Sequence, residues 1–150
     1  VDLLLDNRQQ EIEITNEMIE MLKEVIKECL NIESRTEDYE LSISIVDDNE
    51  IMKLNKIYMG KDRPTDVLSF PMEDNTLFDG QLPMLGDIVI SAITAKRQSE
   101  EFGHSFEREM AYLTAHSMFH LMGYDHMEEQ EKNIMREKEK QVMKNLGLFK

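Results

Sequence analysis

Apolar and polar positions repeat with two different periods along this 150-residue chain. Met18, Ile19, Leu22, Ile26 and Leu30 recur at helical spacing and predict a helix capped by Thr15 or Asn16. Leu41, Ile43 and Ile45 alternate with Ser42 and Ser44, the two-residue period of a half-buried strand. Asp47 and Glu50 form a capping box, and Ile51, Leu54, Ile57 and Tyr58 continue a helix that stops at Gly60. Val1 to Leu5 reads as a buried strand, Thr65 to Phe70 as a strand ending against Pro71, and Gly86 to Ser91 as the next. Three helices follow: Ala92 to Phe102 ended by Gly103, Ser105 to Met122 ended by Gly123, and an amphipathic one from about Glu128 to Leu146.

Two stretches break the regularity. The connection from Pro71 to Gly86 is long and rich in Pro, Gly and acids, as binding loops and tolerated insertions both are. The helix around Met110 to Met122 is apolar nearly all round, which predicts a place in the middle of the domain. Its two histidines are therefore expected out of water. No repeat, linker-like run or shift in composition divides the chain, so residues 1–150 read as a single domain of the α+β class.

Composition narrows the picture. With 41% hydrophobic and 32% charged residues, 6 Gly and 3 Pro, the chain is neither collagenous nor disordered. The single Cys29 cannot form an internal disulfide and is expected to be a buried, inert thiol. No apolar run approaches the roughly 20 residues of a membrane helix, and the acidic start (Asp2, Asp6) is unlike a signal peptide. A soluble cytoplasmic protein without a membrane partner is the expectation.

Net charge is −14, opposite to that of most proteins that grip duplex DNA. Its distribution is uneven. Residues 1–50 hold 15 acidic and 4 basic side chains, whereas residues 51–63 hold Lys53, Lys56, Lys61 and Arg63 against Asp62 alone. Such a basic island on an acidic protein can steer one polyanionic strand to one place, although it can equally be a solvated face.

Three of the four histidines fall in the string H-x-x-x-H-x-x-G-x-x-H: His116, His120 and His126. The first two share a helix face, and Gly123 can reverse the chain so that His126 returns beside them. Three neutral imidazoles at one point suit a zinc ion with water in the fourth position. The competing arrangement is a pair of core histidines satisfied by backbone carbonyls, with His126 at the surface. Metzincin peptidases share this spacing but carry a Glu as general base after the first His, where this chain has Ser117. Asp125 is the nearest carboxylate in sequence, equally suited to orienting an imidazole.

The run His116-Ser-Met-Phe-His-Leu-Met-Gly-Tyr-Asp-His126 resembles the signature of the YbeY-type endoribonucleases, bacterial rRNA maturation factors. Leu54-Asn-Lys-Ile-Tyr-Met-Gly-Lys-Asp-Arg-Pro-Thr-Asp-Val-Leu-Ser-Phe-Pro71, Leu85-Gly-Asp-Ile-Val-Ile-Ser91 and Gly103-His-Ser-Phe-Glu-Arg-Glu109 are similar to further blocks of that family, in order. The resemblance implies an α+β domain with a small, mostly mixed sheet beside a central buried metal-binding helix. It implies zinc on His116, His120 and His126. It also implies single-strand-specific cleavage of RNA in rRNA processing, small-subunit 3′-end maturation and ribosome quality control, with the small ribosomal subunit as a partner.

Two positions depart from the family's pattern. Ser117 stands where Gly is usual, and Met59 where an Arg thought important for activity is usual. Lys61 or Arg63 would then supply the cation near a phosphate. Lys61, Arg63 and Asp125 are the candidates for catalytic roles, and the residues name no general base. The alternatives are another metal-dependent hydrolase, such as a metzincin-like peptidase, and a non-catalytic ribosome assembly factor with a structural metal.

Overall fold

The computed structural model describes residues 1–72, 82–124 and 128–148. Its elements run β1 (Asp2–Asn7), α1 (Asn16–Ile32), β2 (Glu40–Val46), α2 (Asp48–Met59), β3 (Val67–Pro71) and β4 (Met84–Ser91), then α3 (Ala92–Phe102), α4 (Phe106–Leu121) and α5 (Glu129–Asn145). The boundaries follow from local chemistry. Thr15, Asp47, Ser91 and Ser105 each accept a backbone N–H from the first turn of the helix they precede. Gly60 and Gly103 close α2 and α3 in the left-handed conformation that a side chain would resist.

The four strands form one mixed sheet in the order β1-β2-β4-β3. β1 and β4 flank β2 in parallel, and β3 pairs antiparallel with β4, Ser69 opposite Ile88. Side-chain alternation divides the apolar residues between the two faces. Leu41, Ile43, Ile45, Leu85, Ile88 and Ile90 join the main core with α1, α4 and α5. Val46, Leu68 and Val89 point the other way into a smaller cluster under Ile51 and Leu54 of α2. The architecture is thus a single-domain α+β fold, and α4 lies at its centre, buried from Phe106 to Leu121 along most of its circumference.

β1 corrects one expectation. It is an edge strand rather than a buried one: Leu3 and Leu5 pack on the core, whereas Leu4 is 60% exposed. A leucine run reads as burial on both faces, but an edge strand with only one covered face exposes every second residue. Cys29 is buried as expected, and that burial pushes its thiol well above the ordinary range.

Gly86 sets the height of α4 over the sheet. A Cβ there would fall 2.5 Å from the carbonyl oxygen of Phe70 and 2.7 Å from Leu121 Cδ2. Only a residue without a side chain lets β3, β4 and the end of α4 approach this closely.

Candidate metal centre and groove

His116 and His120 lie one turn apart on α4, their ring centroids 4.7 Å apart and their planes nearly perpendicular. Both are half-buried rather than withdrawn from water, because α4 emerges at its C-terminal end into a groove of about 930 Å³. Each ring is oriented through Nδ1. His116 Nδ1 is 2.6 Å from Glu139 Oε2 on α5, and His120 Nδ1 is 2.9 Å from the carbonyl oxygen of Tyr124. That second bond exists because the chain turns back at once: Gly123 takes a φ of 106°, and the Tyr124 amide donates to Phe119 O. A neutral imidazole that donates through Nδ1 carries its lone pair on Nε2, on the opposite edge of the ring.

Glu139 is the main addition to the site, and nothing in the sequence pattern points to it. It is 3% exposed and lies 23 residues from His116, so no local spacing announces it. Tyr112 flanks the same pair, its ring stacked on His116 at 6.1 Å. Burial first, and the adjacent Glu139 carboxylate second, raise the Tyr112 phenol well above its ordinary range, which keeps it protonated.

The groove is walled by β3, the loop before it and α3. Lys61 and Arg63 line it, as does Arg97 on α3, a cation that the charge pattern along the chain does not single out. Lys53 and Lys56 are outside its lining, and Lys56 instead faces Asp62 at 3.8 Å. The basic island therefore divides. Its helical half turns with α2, while its loop half, pinned by the Asn55 amide donating to Arg63 O at 2.9 Å, reaches the groove. Met59 sits at the lip, 47% exposed. Asp66 is the one carboxylate among the described lining residues; it accepts the Val67 amide at 2.7 Å and the Gln98 side chain at 3.3 Å.

Ser117 is not among the residues that line this groove. It is fully buried, and its hydroxyl lies 2.9 Å from that of Ser69 on β3, which ties α4 to the sheet beside the histidines. His126 and Asp125 lie outside the described residues, as does the 73–81 part of the long connection. Among the described residues no group of three His, Cys, Asp or Glu side chains comes together to hold a metal ion.

Comparison with known proteins agrees with the motifs. The family model of the endoribonuclease YbeY matches residues 4–147. An endoribonuclease YbeY of Thermoanaerobacter sp. is 49% identical over 99% of both chains, and that of Clostridioides difficile 48% identical over 99% of this chain and 98% of its own. The solution structure of TM1509 from Thermotoga maritima superposes with a TM-score of 0.65 at 28% identity, covering 96% of this chain and 88% of that one. On the full-length match in sequence and the matching fold, the chain belongs to the YbeY family of endoribonucleases.

Proposed function

We propose that this protein is a zinc-dependent endoribonuclease that cuts single-stranded RNA in the cytoplasm during rRNA processing. Small-subunit 3′-end maturation and ribosome quality control are its setting, and His116, His120 and His126 hold the metal. The observation that carries this reading is the pair of imidazoles, each fixed through Nδ1, at the floor of a groove rimmed by Lys61, Arg63 and Arg97. The donor set fits: two neutral nitrogens one helical turn apart, one of them backed by a buried carboxylate, are what a borderline-soft dication takes.

When bound, zinc would supply a Lewis acid for the phosphate and a water of lowered pKa. The chain's own residues do the rest. Lys61, Arg63 and Arg97 hold backbone phosphates without reading sequence, so the strand lies along β3 and over the histidines. Glu139 keeps His116 in the tautomer that presents Nε2. With cations at the lip and few carboxylates inside, the groove attracts one polyanion while the remaining acidic surface repels nonspecific nucleic acid. No base stands at Ser117, which counts against a peptidase.

The test is cleavage of a structured RNA with a single-stranded tail by the wild type and by His116→Ala purified in parallel, with zinc content measured on both. Cutting by the wild type alone, with zinc lost from the variant, is the expected result. Equal cutting by both would overturn the assignment. Met59 at the groove lip favours the second reading, a ribosome assembly factor with a structural metal, and a wild type that binds RNA without cutting it would support that one.

A further inference from the structure

A second cavity, of about 730 Å³, opens between α3, α4 and α5, and it shares Tyr112 and Glu139 with the surroundings of His116. Its apolar wall is formed by Phe102, Tyr112 and Met143, and its rim by Arg108, Arg136, Lys140 and Lys144. Phe102 is 63% exposed, so its ring is open to a ligand from solvent. The two carboxylates in the lining are already committed, Glu109 to His104 at 2.6 Å and Glu139 to His116. Among the described residues Arg108, Arg136 and Lys144 make no ion pair, and Lys140 makes only an exposed one with Glu137. On a protein of net charge −14, four cations around an aromatic floor are a local inversion.

This cavity adjoins the metal groove along α4. Arg108, Tyr112, His116 and His120 form one four-residue row along α4. Tyr112 lines the cavity while its ring stacks on His116. Gln98 lines the groove and donates to Glu109 of the cavity at 2.9 Å. A helix rises about 1.5 Å per residue, so Arg108 is about 12 Å from His116 along the same row.

We propose that this cavity binds a nucleotide of the single-stranded RNA adjoining the one at the histidines. Its base stacks on Phe102 and Tyr112, and its phosphate is held by Arg136 and Lys140. An aromatic floor takes any base by its face, and guanidinium and ammonium groups take the phosphate, so the site lengthens the strand's footprint without demanding a sequence. The proposal rests on the ribonuclease reading.

Binding of a short fluorescent 2′-O-methyl oligoribonucleotide to the zinc-loaded protein tests it, by anisotropy over a salt series. Arg136→Glu with Lys140→Glu is compared with Lys61→Glu with Arg63→Glu, and with Phe102→Ala; all five side chains are exposed, and circular dichroism checks that each variant folds. The cavity pair is expected to weaken binding about tenfold and to flatten the salt slope by about 0.7 for each phosphate that is no longer neutralised. Phe102→Ala is expected to weaken binding severalfold with the slope unchanged, since it removes stacking and no charge. Loss of affinity in the Lys61/Arg63 pair alone would overturn the cavity's role while leaving the ribonuclease reading intact, and the cavity would then suit an acidic protein segment. No loss in any variant would overturn both the cavity's role and the phosphate-holding role given to Lys61 and Arg63.

Discussion

α1 and α4 are of nearly equal length and pack against each other, yet they treat their polar residues in opposite ways. The buried face of α1 is wholly apolar apart from the Cys29 thiol, and four of its six charged residues pair within the helix, Lys23 with Glu20 and Lys27 with Glu24, in water. α4 buries Glu109, Thr114 and Ser117 among its apolar residues and carries the two half-buried histidines. Three of these five are tied to other elements: Glu109 to Gln98 on α3, Ser117 to Ser69 on β3, His116 to Glu139 on α5. Polar groups are costly to bury without partners. A central helix that retains so many, three of them tied to three different elements, has been shaped around a site rather than around a core.

The sharpest way to break that contrast is at the partner of His116. Glu139→Gln keeps the volume of the side chain but removes the charge that orients and polarises the imidazole. Zinc affinity, measured by competition with a chromophoric chelator, is expected to fall about 10- to 100-fold. An unchanged affinity would mean that the His116–Glu139 bond serves the packing of α5 alone. The same substitution mimicked on α1, Glu20→Gln, loses one exposed ion pair and should leave both affinity and stability unchanged within about 0.5 kcal/mol.

The height of α4 over the sheet gives a second, smaller effect. Gly86→Ala drives a methyl into the Phe70 carbonyl and Leu121, and backbone cannot yield as a side-chain tip can. Chemical denaturation should show a loss of about 2 kcal/mol, within the usual range for overpacking. A neutral result would mean that the end of α4 shifts to make room, and zinc affinity would then have to change with it.

What the sequence announced and what it withheld divide along the same line as the two helices. Helix starts at Thr15 and Asp47 and stops at Gly60 and Gly103 were legible because a cap acts on its own first or last turn. The His116–His120 pair was legible because a spacing of four residues is a fact about one helix. Glu139, Gln98 and Asp66 were not, since each reaches its partner across 11 residues or more and only the packed fold brings them together. The basic run from Lys53 to Arg63 misled in part for a related reason: four cations close in sequence straddle the end of α2, and Gly60 sends only the last two toward the groove. Arg97 arrives there from another element entirely. β1 looked buried because composition records how apolar a strand is and not how many of its faces are covered.

Thr114 gives the smallest and most discriminating effect, because it is the exception on α4. Among the described residues its Oγ1 is the one buried side-chain oxygen or nitrogen without a hydrogen-bond partner, at 0% exposure. If the polar residues of α4 are retained for what they bind, a hydroxyl that binds nothing in the protein should be dispensable. Thr114→Val preserves the branched shape and exchanges the hydroxyl for a methyl, which removes the desolvation penalty of an unmade bond. The melting transition should rise, corresponding to a gain of about 1 kcal/mol, while zinc affinity stays the same. A loss of stability instead would point to an ordered water on that oxygen, since a bridged hydroxyl buried this deeply is costly to remove. Thr114 would then join the partnered polar groups, and the contrast with α1 would hold for every buried polar side chain of the helix.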